Sequence, residues 1–359
     1  MLKRLDVYII KKFLGTFFFS IILIIGIAII FDISEKIDDF IEKEAPLGAI
    51  AFDYYLNFIP YYSNLFSFLF IFIAVIFFTS KMASNSEIIA ILASGVSYNR
   101  LMRPYFISAL IIAIFSFVMS NWIIPPANKV RLAFEDTYIN NTYRFTDRNF
   151  HKQIQPGVFV YIDSYNNRDN EGTQFSMETI TEGKLQNKLM AEKIRWDSIS
   201  NKWQLSTYRI RFFEEKGERI VEGQFMDTVI AMYPEDFRRK ITIVETMNLG
   251  ELNEFIERER MSGSGKLEVY LIEKYKRTSF AFSSFILTLI GVSLSSRKTR
   301  GGTGFNLGVG LLLSFTYILF MQVSFQFSIG SNLSPLIAVW IPNFIYAFIA
   351  FFLYRIAPK

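Results

Sequence analysis

Six apolar stretches, each about as long as a bilayer's hydrocarbon core is thick, dominate this 359-residue sequence. An α-helix rises about 1.5 Å per residue, so about 20 apolar residues cross a core of about 30 Å with their backbone groups paired inside the segment. The stretches run from about Ile9 to Phe31, Tyr54 to Phe78, Tyr105 to Ile124, Ser279 to Leu294, Phe305 to Phe327 and Pro335 to Tyr354. The third is predicted to end at Pro125 and Pro126, and the fourth reaches full length if it extends back through Tyr275. A polar middle separates them three and three. The chain therefore reads as a polytopic α-helical membrane protein in three parts: residues 1–126 with three transmembrane helices, an inserted domain over 127–265, and residues 266–359 with three more. The first stretch is too long for the apolar core of a signal peptide and no small-residue cleavage site follows it, which makes it a retained span.

Lys and Arg in short loops mark the cytoplasmic side. Lys3, Arg4, Lys11 and Lys12 precede the first span; Lys81, Arg100 and Arg103 lie between the second and third; Arg297, Lys298 and Arg300 lie between the fourth and fifth; Arg355 and Lys359 end the chain. Asp32 to Asp53 is mainly acidic, and Gly330 to Ser334 carries no charge. Both termini are thus expected in the cytoplasm and the inserted domain outside. The net charge of +5 belongs to this topology. No Lys/Arg block is interleaved with aromatics as nucleic-acid binding would require.

In the middle segment the hydrophobic period changes to two. Val158, Val160 and Ile162 alternate with Phe159, Tyr161 and Asp163 before a turn at 166–170, and a hairpin is predicted in Lys193 to Ile210 around the polar Asp197 to Lys202. Shorter segments at Tyr208 to Phe213, Arg219 to Glu222 and Thr228 to Met232 complete a β domain of sandwich, jelly-roll or barrel type whose strand order the pattern leaves open. After Asn248, Leu249, Leu252, Phe255 and Ile256 have helical spacing, and Ser262 to Gly265 can hinge into the fourth span.

Chemistry-bearing patterns are few. The chain has no cysteine and one histidine, His151, expected to be an ordinary loop or strand residue. No Ser-His-Asp set, paired-carboxylate site or zinc signature is present, so catalysis and a metal site are not expected. Between the second and third spans, Ser84 and Glu87 have capping-box spacing, Ile88, Ile89, Ile91 and Leu92 make a short apolar run, and Gly95 can stop the helix. Such a helix fits two roles equally: docking into a groove of a cytoplasmic partner through Glu87, or lying in the membrane interface. Gly301, Gly302, Gly304, Gly308 and Gly310 lack the phosphate-loop spacing; Gly304 and Gly308, four apart at the start of a span, fit close helix packing better. At the outer face, Lys36 and Lys43 follow the first span among acidic residues, and Lys274, Lys276 and Arg277 precede the fourth. Cations there attract a lipid phosphate, although most flanking cations only anchor a helix end.

With these residues in hand, the whole chain resembles the lipopolysaccharide-export permease family of the LptF/LptG type, also called YjgP/YjgQ. The resemblance is carried by the basic start, by Ser-Glu-Ile-Ile-Ala-Ile-Leu-Ala-Ser-Gly-Val at Ser86 to Val96, by the domain after the third span, and by Ala-Val-Trp-Ile-Pro-Asn at Ala338 to Asn343. It implies a bacterial inner-membrane permease that pairs with a paralogous permease subunit and is driven by a cytoplasmic ABC ATPase dimer. ATP and Mg would be used by that ATPase, with no cofactor bound by this chain. It also implies that the inserted domain is a periplasmic β-jellyroll that hands lipopolysaccharide to a periplasmic jellyroll bridge toward the outer membrane. Glu87, with Ile88, Ile91, Leu92 and Gly95, would form the ATPase-coupling helix. Lys36, Lys43, Lys274 and Arg277 would be the candidate lipid-phosphate contacts, and Gly304, Gly308 and Gly310 the packing face of a lateral gate. Family members carry a cation near the outer end of the first span, where this chain has Phe31 or Asp32; Lys36 lies one turn further on. The same architecture would also serve a membrane receptor or scaffold with a protein-binding periplasmic domain, or a permease for another amphiphilic lipid.

Overall fold

The computed structural model describes residues 3–139, 150–166, 169–214, 217–234, 237, 241–261, 263, 266–297, 302–330 and 333–357. Asn167, Arg168, Ser262, Ser264, Gly265, Lys298, Arg300, Gly301 and Lys359, invoked above, lie outside them. The chain divides into two compact units. One comprises Met1–Ile139, Glu245–Leu249 and Leu271–Lys359, the other Asn140–Val244 and Gly250–Tyr270.

In the first unit, α1 (Arg4–Glu42) is followed by α2 (Leu56–Leu65), α3 (Ser67–Ser84), the short α4 (Glu87–Ala93), α5 (Tyr98–Val118) and α6 (Ile124–Tyr138). A later group comprises α7 (Leu249–Met261), which from Gly250 belongs to the second unit, then α8 (Leu267–Ser295), which from Leu271 belongs to the first, α9 (Gly302–Gly330) and α10 (Pro335–Ile356). Among the described residues, six helical stretches are long and apolar enough to cross a membrane: α1, α3, Tyr98–Tyr138, α8, α9 and α10. The expected six-span architecture with an inserted β domain is present.

Its helix limits differ in instructive ways. The second stretch is not one rod: a π-helical turn, Ile50–Tyr55, leads into α2, and the chain bends at Phe66 before α3. The third does not stop at Pro125 and Pro126. A π turn at Met119–Ile123 closes with Ile124 N–H on the Met119 carbonyl, and the two prolines then occupy the first positions of α6, where a starting helix has no donor to lose.

α3 is the centre of the bundle, with α1, α9 and α8 against it. Phe68 meets Phe280 of α8 and Tyr317 of α9, with ring centroids 4.7 and 5.0 Å apart. Gly291 and Gly310 allow the closest approaches. A Cβ at Gly291 would lie 2.4 Å from Val75 Cγ1, and one at Gly310 2.1 Å from Ile76 Cδ1. In α10, Pro342 removes the donor that would have paired with the Ala338 carbonyl, and Ser324 Oγ of α9 donates to that carbonyl instead (2.5 Å). Asn343, next in sequence, accepts from Tyr317 Oη (2.7 Å) and donates to Ser279 Oγ (2.7 Å), tying α10 to α9 and α8. The Pro-Asn pair therefore opens one backbone bond and closes three helices around it.

The second unit holds one seven-stranded antiparallel sheet: β1 (Phe150–Gln155), β2 (Val158–Ile162), β3 (Ser164–Asn166), β4 (Glu171–Thr181), β5 (Lys184–Asp197), β6 (Lys202–Glu214) and β7 (Gly217–Thr228). The order is β1-β2-β4-β5-β6-β7, with β3 pairing β4 beyond the end of β2. The predicted hairpin is β5–β6. Trp196 opposes Trp203, and Asp197 closes the turn by accepting from Ile199 N–H (3.0 Å) and Ser200 Oγ (2.7 Å). Val160, Ile162, Phe175, Leu189, Ile194, Trp203 and Leu205 form the core, and Trp203 Nε1 donates to the Met232 carbonyl (2.8 Å). His151 is an exposed residue of β1 beside the Tyr161 ring.

Gly157, in the β1–β2 turn, has φ +78°, and a Cβ there would lie 2.3 Å from the Ile180 carbonyl oxygen; Gly183, φ +76°, faces open space. Gly157→Ala should therefore lower the unfolding temperature by several degrees more than Gly183→Ala, which carries only the left-handed backbone cost of about 1–2 kcal/mol. Thermal unfolding of the full chain in detergent, followed by tryptophan fluorescence, checks this; equal shifts would mean that the Ile180 contact relaxes at no cost.

Candidate functional site

Two sets of polar side chains gather at opposite ends of the bundle. The first lies where α1 begins and α10 ends. The chain leaves α3 through Asn85 and Ser86, and Ser86 adopts φ +61°. It is Ser86, not Ser84, that occupies the cap position of α4, and its side chain makes no cap hydrogen bond. The expected capping box is thus absent, because α3 continues through Ser84 and Glu87 becomes the first helical residue rather than the third. The Glu87 carboxylate instead accepts from Asn85 Nδ2 (3.1 Å) and, at the long distance of 3.5 Å, from Tyr8 Oη of α1.

The rest of α4 follows its pattern. Ile88 is 1% exposed and joins the core, Ile91 and Leu92 pack partly against it, and Ile89 (57% exposed), Ala90 and Ala93 face outward. Gly95 ends the helix at φ +86°, as predicted. α5 then starts with Ser97 Oγ accepting from Arg100 N–H (3.3 Å). The Arg100 guanidinium donates through both terminal nitrogens to Asp6 of α1, at 2.7 and 2.6 Å. Asp6 is 2% exposed and also accepts from the Lys3 backbone N–H (2.8 Å). Tyr98 and Ser296 share a hydrogen bond of 3.2 Å, and Arg297 donates to the Ile356 carbonyl, so the ends of α8 and α10 adjoin the same region. Asp6, Tyr8 and Arg100 were not singled out from the sequence as site residues. The signal available was a lone acid among Lys3, Arg4, Lys11 and Lys12.

The second set lies at the other end. Lys36 is held by Asp32, one turn back on α1 (2.8 Å), and by the Tyr54 hydroxyl, with the Tyr54 ring 4.9 Å away; Asp32 also accepts from Tyr55 Oη (3.0 Å). Lys43 donates to the Ile139 carbonyl (3.2 Å). Lys274 is half-buried beside Tyr275, and Lys276 pairs with Glu273 (2.8 Å). Arg277, 4% exposed, binds Glu273 (3.4 Å) and the Met247 carbonyl (3.0 Å). Asn128 Nδ2 donates to the Glu245 carbonyl (3.4 Å), so Asn128 and Arg277 together hold the 245–247 segment. Of the four candidate phosphate contacts, Lys36 and Arg277 are thus engaged with carboxylates, and Lys43 and Arg277 with backbone carbonyls.

Tyr61, Asn64, Asn128, Glu245, Glu273 and Lys276 line a small cavity of about 40 Å³, room for on the order of two waters. Burial first, then the Glu273 carboxylate, pushes the Glu245 carboxyl above the usual carboxylate range, against the pull of Lys276 and Arg131. The three candidate gate glycines divide. Gly310 packs on Ile76, whereas Gly304 and Gly308 are exposed, and a Cβ added at either would meet nothing within 4 Å. No group of three or more His, Cys, Asp or Glu side chains suited to a metal ion occurs among the described residues.

The raised carboxyl has a measurable sign. A folded-state carboxyl that holds its proton more tightly than the unfolded chain does contributes stability fully present below its ordinary pKa and lost as pH rises through the raised value. Glu245→Gln should therefore gain stability relative to the parent as pH rises from about 4.5 to 7, with Glu273, Lys276, Arg277 and Arg131 facing the site in both. Unfolding temperatures of the two proteins across that range provide the test; a difference that shrinks with pH would contradict it.

A family model described as lipopolysaccharide export system permease LptF/LptG matches residues 7–356, nearly the whole chain. A comparison with curated proteins returned no match.

Proposed function

Because this chain belongs to the LptF/LptG family of lipopolysaccharide export permeases, we propose that it is the permease subunit of an ATP-driven transporter whose hydrolysis occurs in a separate cytoplasmic ABC ATPase dimer. In this reading it sits in the bacterial inner membrane beside a paralogous permease, with both termini cytoplasmic and the β domain periplasmic. It takes lipopolysaccharide from the membrane and passes it to a periplasmic jellyroll bridge. ATP and Mg act in the ATPase.

The observation that carries the proposal is the α4 helix. Its inner side is fixed by Ile88 in the core, its outer side presents Ile89, Ala90 and Ala93, and Glu87 stands at its first turn. An apolar face with one carboxylate at its N-terminal edge suits a groove of another protein bearing a basic residue. A helix serving only as an interfacial anchor would not require Glu87 to be held from two sides. The basic residues at the same end, with Lys81, Arg103 and Arg355 on helix ends there, favour the cytoplasm for that end.

The bundle also offers a lipid route. The apolar spans of α1 and α9 are only 22% and 28% buried inside the chain, against 72% for α3. Exposed Gly304 and Gly308 on α9 leave a shallow place for a neighbouring helix or an acyl chain. We assign the lateral gate to these two helices, paired with their counterparts in the paralogous permease. Lys36 is the α1 cation that a lipid phosphate would meet there, by exchanging Asp32 for the phosphate, and Lys274 on α8 is a second candidate contact.

In the assembled complex, Glu87→Ala should lower lipopolysaccharide-stimulated ATP hydrolysis at least tenfold, the loss of one charged contact at an interface being worth about 1.5–3 kcal/mol. Hydrolysis by the purified complex, with co-purification of the ATPase measured alongside, decides the matter. Unchanged assembly and unchanged stimulated hydrolysis would remove Glu87 from the interface.

A further inference from the structure

We infer that Asp6 and Arg100 are positioning residues that bind α1 to the α4 segment so that the two move as one body during transport; this rests on the coupling role proposed for α4. Two ties bracket that segment. Tyr8 reaches Glu87 at its start, and Asp6 grips Arg100 just beyond its end. Both come from the first two turns of α1. The second tie is strong in kind: a bidentate guanidinium–carboxylate pair whose Asp6 carboxylate is buried while the Arg100 side chain is partly exposed, with the carboxylate further held by the Lys3 N–H.

Mechanical considerations favour α1 as the element that answers a push on α4. The covalent neighbour α3 is the most buried helix of the bundle and has little room to move. α1, by contrast, touches its neighbours along its apolar span through a narrow stripe of Ile9, Phe13, Phe17, Ser20, Ile21 and Ile25, with Phe40 packed on Tyr54 and Phe134 near its far end. It runs for 39 residues with no proline, about 58 Å of continuous helix. A tilt of about 5° about the Asp6 end would carry the Lys36 end through about 4 Å. Without the Asp6–Arg100 pair, the Gly95 turn, at φ +86° and in open space, would absorb the displacement of α4. The ion pair thus converts a loop into a strap.

The complex of the full chain with its paralogous permease and ATPase, in proteoliposomes containing lipopolysaccharide, gives the test. ATP-driven release by the unaltered complex to the soluble bridge protein is measured first, and its absence would overturn the export reading and the strap's role with it. Given release, Asp6→Asn should assemble and keep basal hydrolysis within twofold, while lipid released per ATP falls at least fivefold. The exchange of charges, Asp6→Arg with Arg100→Asp, should restore at least half of that ratio. An unchanged ratio in Asp6→Asn, or a loss that the exchange leaves untouched, overturns the inference. A second measurement leaves the pair intact and uses the absence of native cysteine. Spin labels at Phe31→Cys and Ser94→Cys should keep their separation within about 2 Å between nucleotide-free and vanadate-trapped complexes, while labels at Phe31→Cys and Phe77→Cys change by more. The opposite pattern overturns the strap.

Discussion

A backbone inside a bilayer has no water to turn to, so each freed carbonyl there needs a partner from within the protein. This constraint organises the bundle. Pro342 would leave the Ala338 carbonyl unpaired in hydrocarbon; Ser324 supplies the donor, and the side chain needed to do so fixes α9 against α10. Asn343 then connects Tyr317 and Ser279 in the dry interior. The π turn before Pro125 works in the same way, moving the break in pairing to a position where the following helix can begin without the missing donors. Polar residues in these helices are therefore the means by which the bundle tolerates its own irregularities, at about 0.6–1.7 kcal/mol for an interhelical hydrogen bond.

Rigidity distributed in this way leaves an asymmetric molecule. α3 and α8 are packed on most sides, while α1, α9 and α10 direct much of their apolar surface outward. For a helix in lipid that exposure carries no penalty, and the helices with few internal contacts are those able to shift against the rest. The short helix at the basic end and the long, lightly held α1 are connected by hydrogen bonds rather than by sequence, which gives the inert centre a movable flank.

Much of the architecture was legible because apolar length and period are local properties. The spans, the Asp197–Lys202 hairpin and the amphipathic Leu249–Met261 helix follow from them directly. Features set by distant partners were hidden. β4 carries Glu171, Gln174, Glu178 and Thr179 in an alternation too polar to announce a strand, and it forms because β2, β3 and β5 pair with it. Glu87 could be found from its stretch, but Tyr8 lies 79 residues away and Asp6 lies 94 residues from Arg100. The capping box at Ser84 failed for a local reason: α3 runs on through Ser84, nearly two turns beyond the end of the apolar pattern at Phe78. Arg277 looked like a headgroup cation and is instead a buried clamp on Met247, since sequence position near a span's end does not reveal which way a side chain turns.

What distinguishes a lipopolysaccharide permease from a scaffold of the same shape is its cargo. Mass spectrometry of the lipid retained by the complex, purified gently before and after ATP is added, tests this most directly. The account predicts lipopolysaccharide bound near stoichiometrically without nucleotide and depleted after hydrolysis. Retention of bulk phospholipid alone, or of lipopolysaccharide that ATP leaves in place, would contradict it.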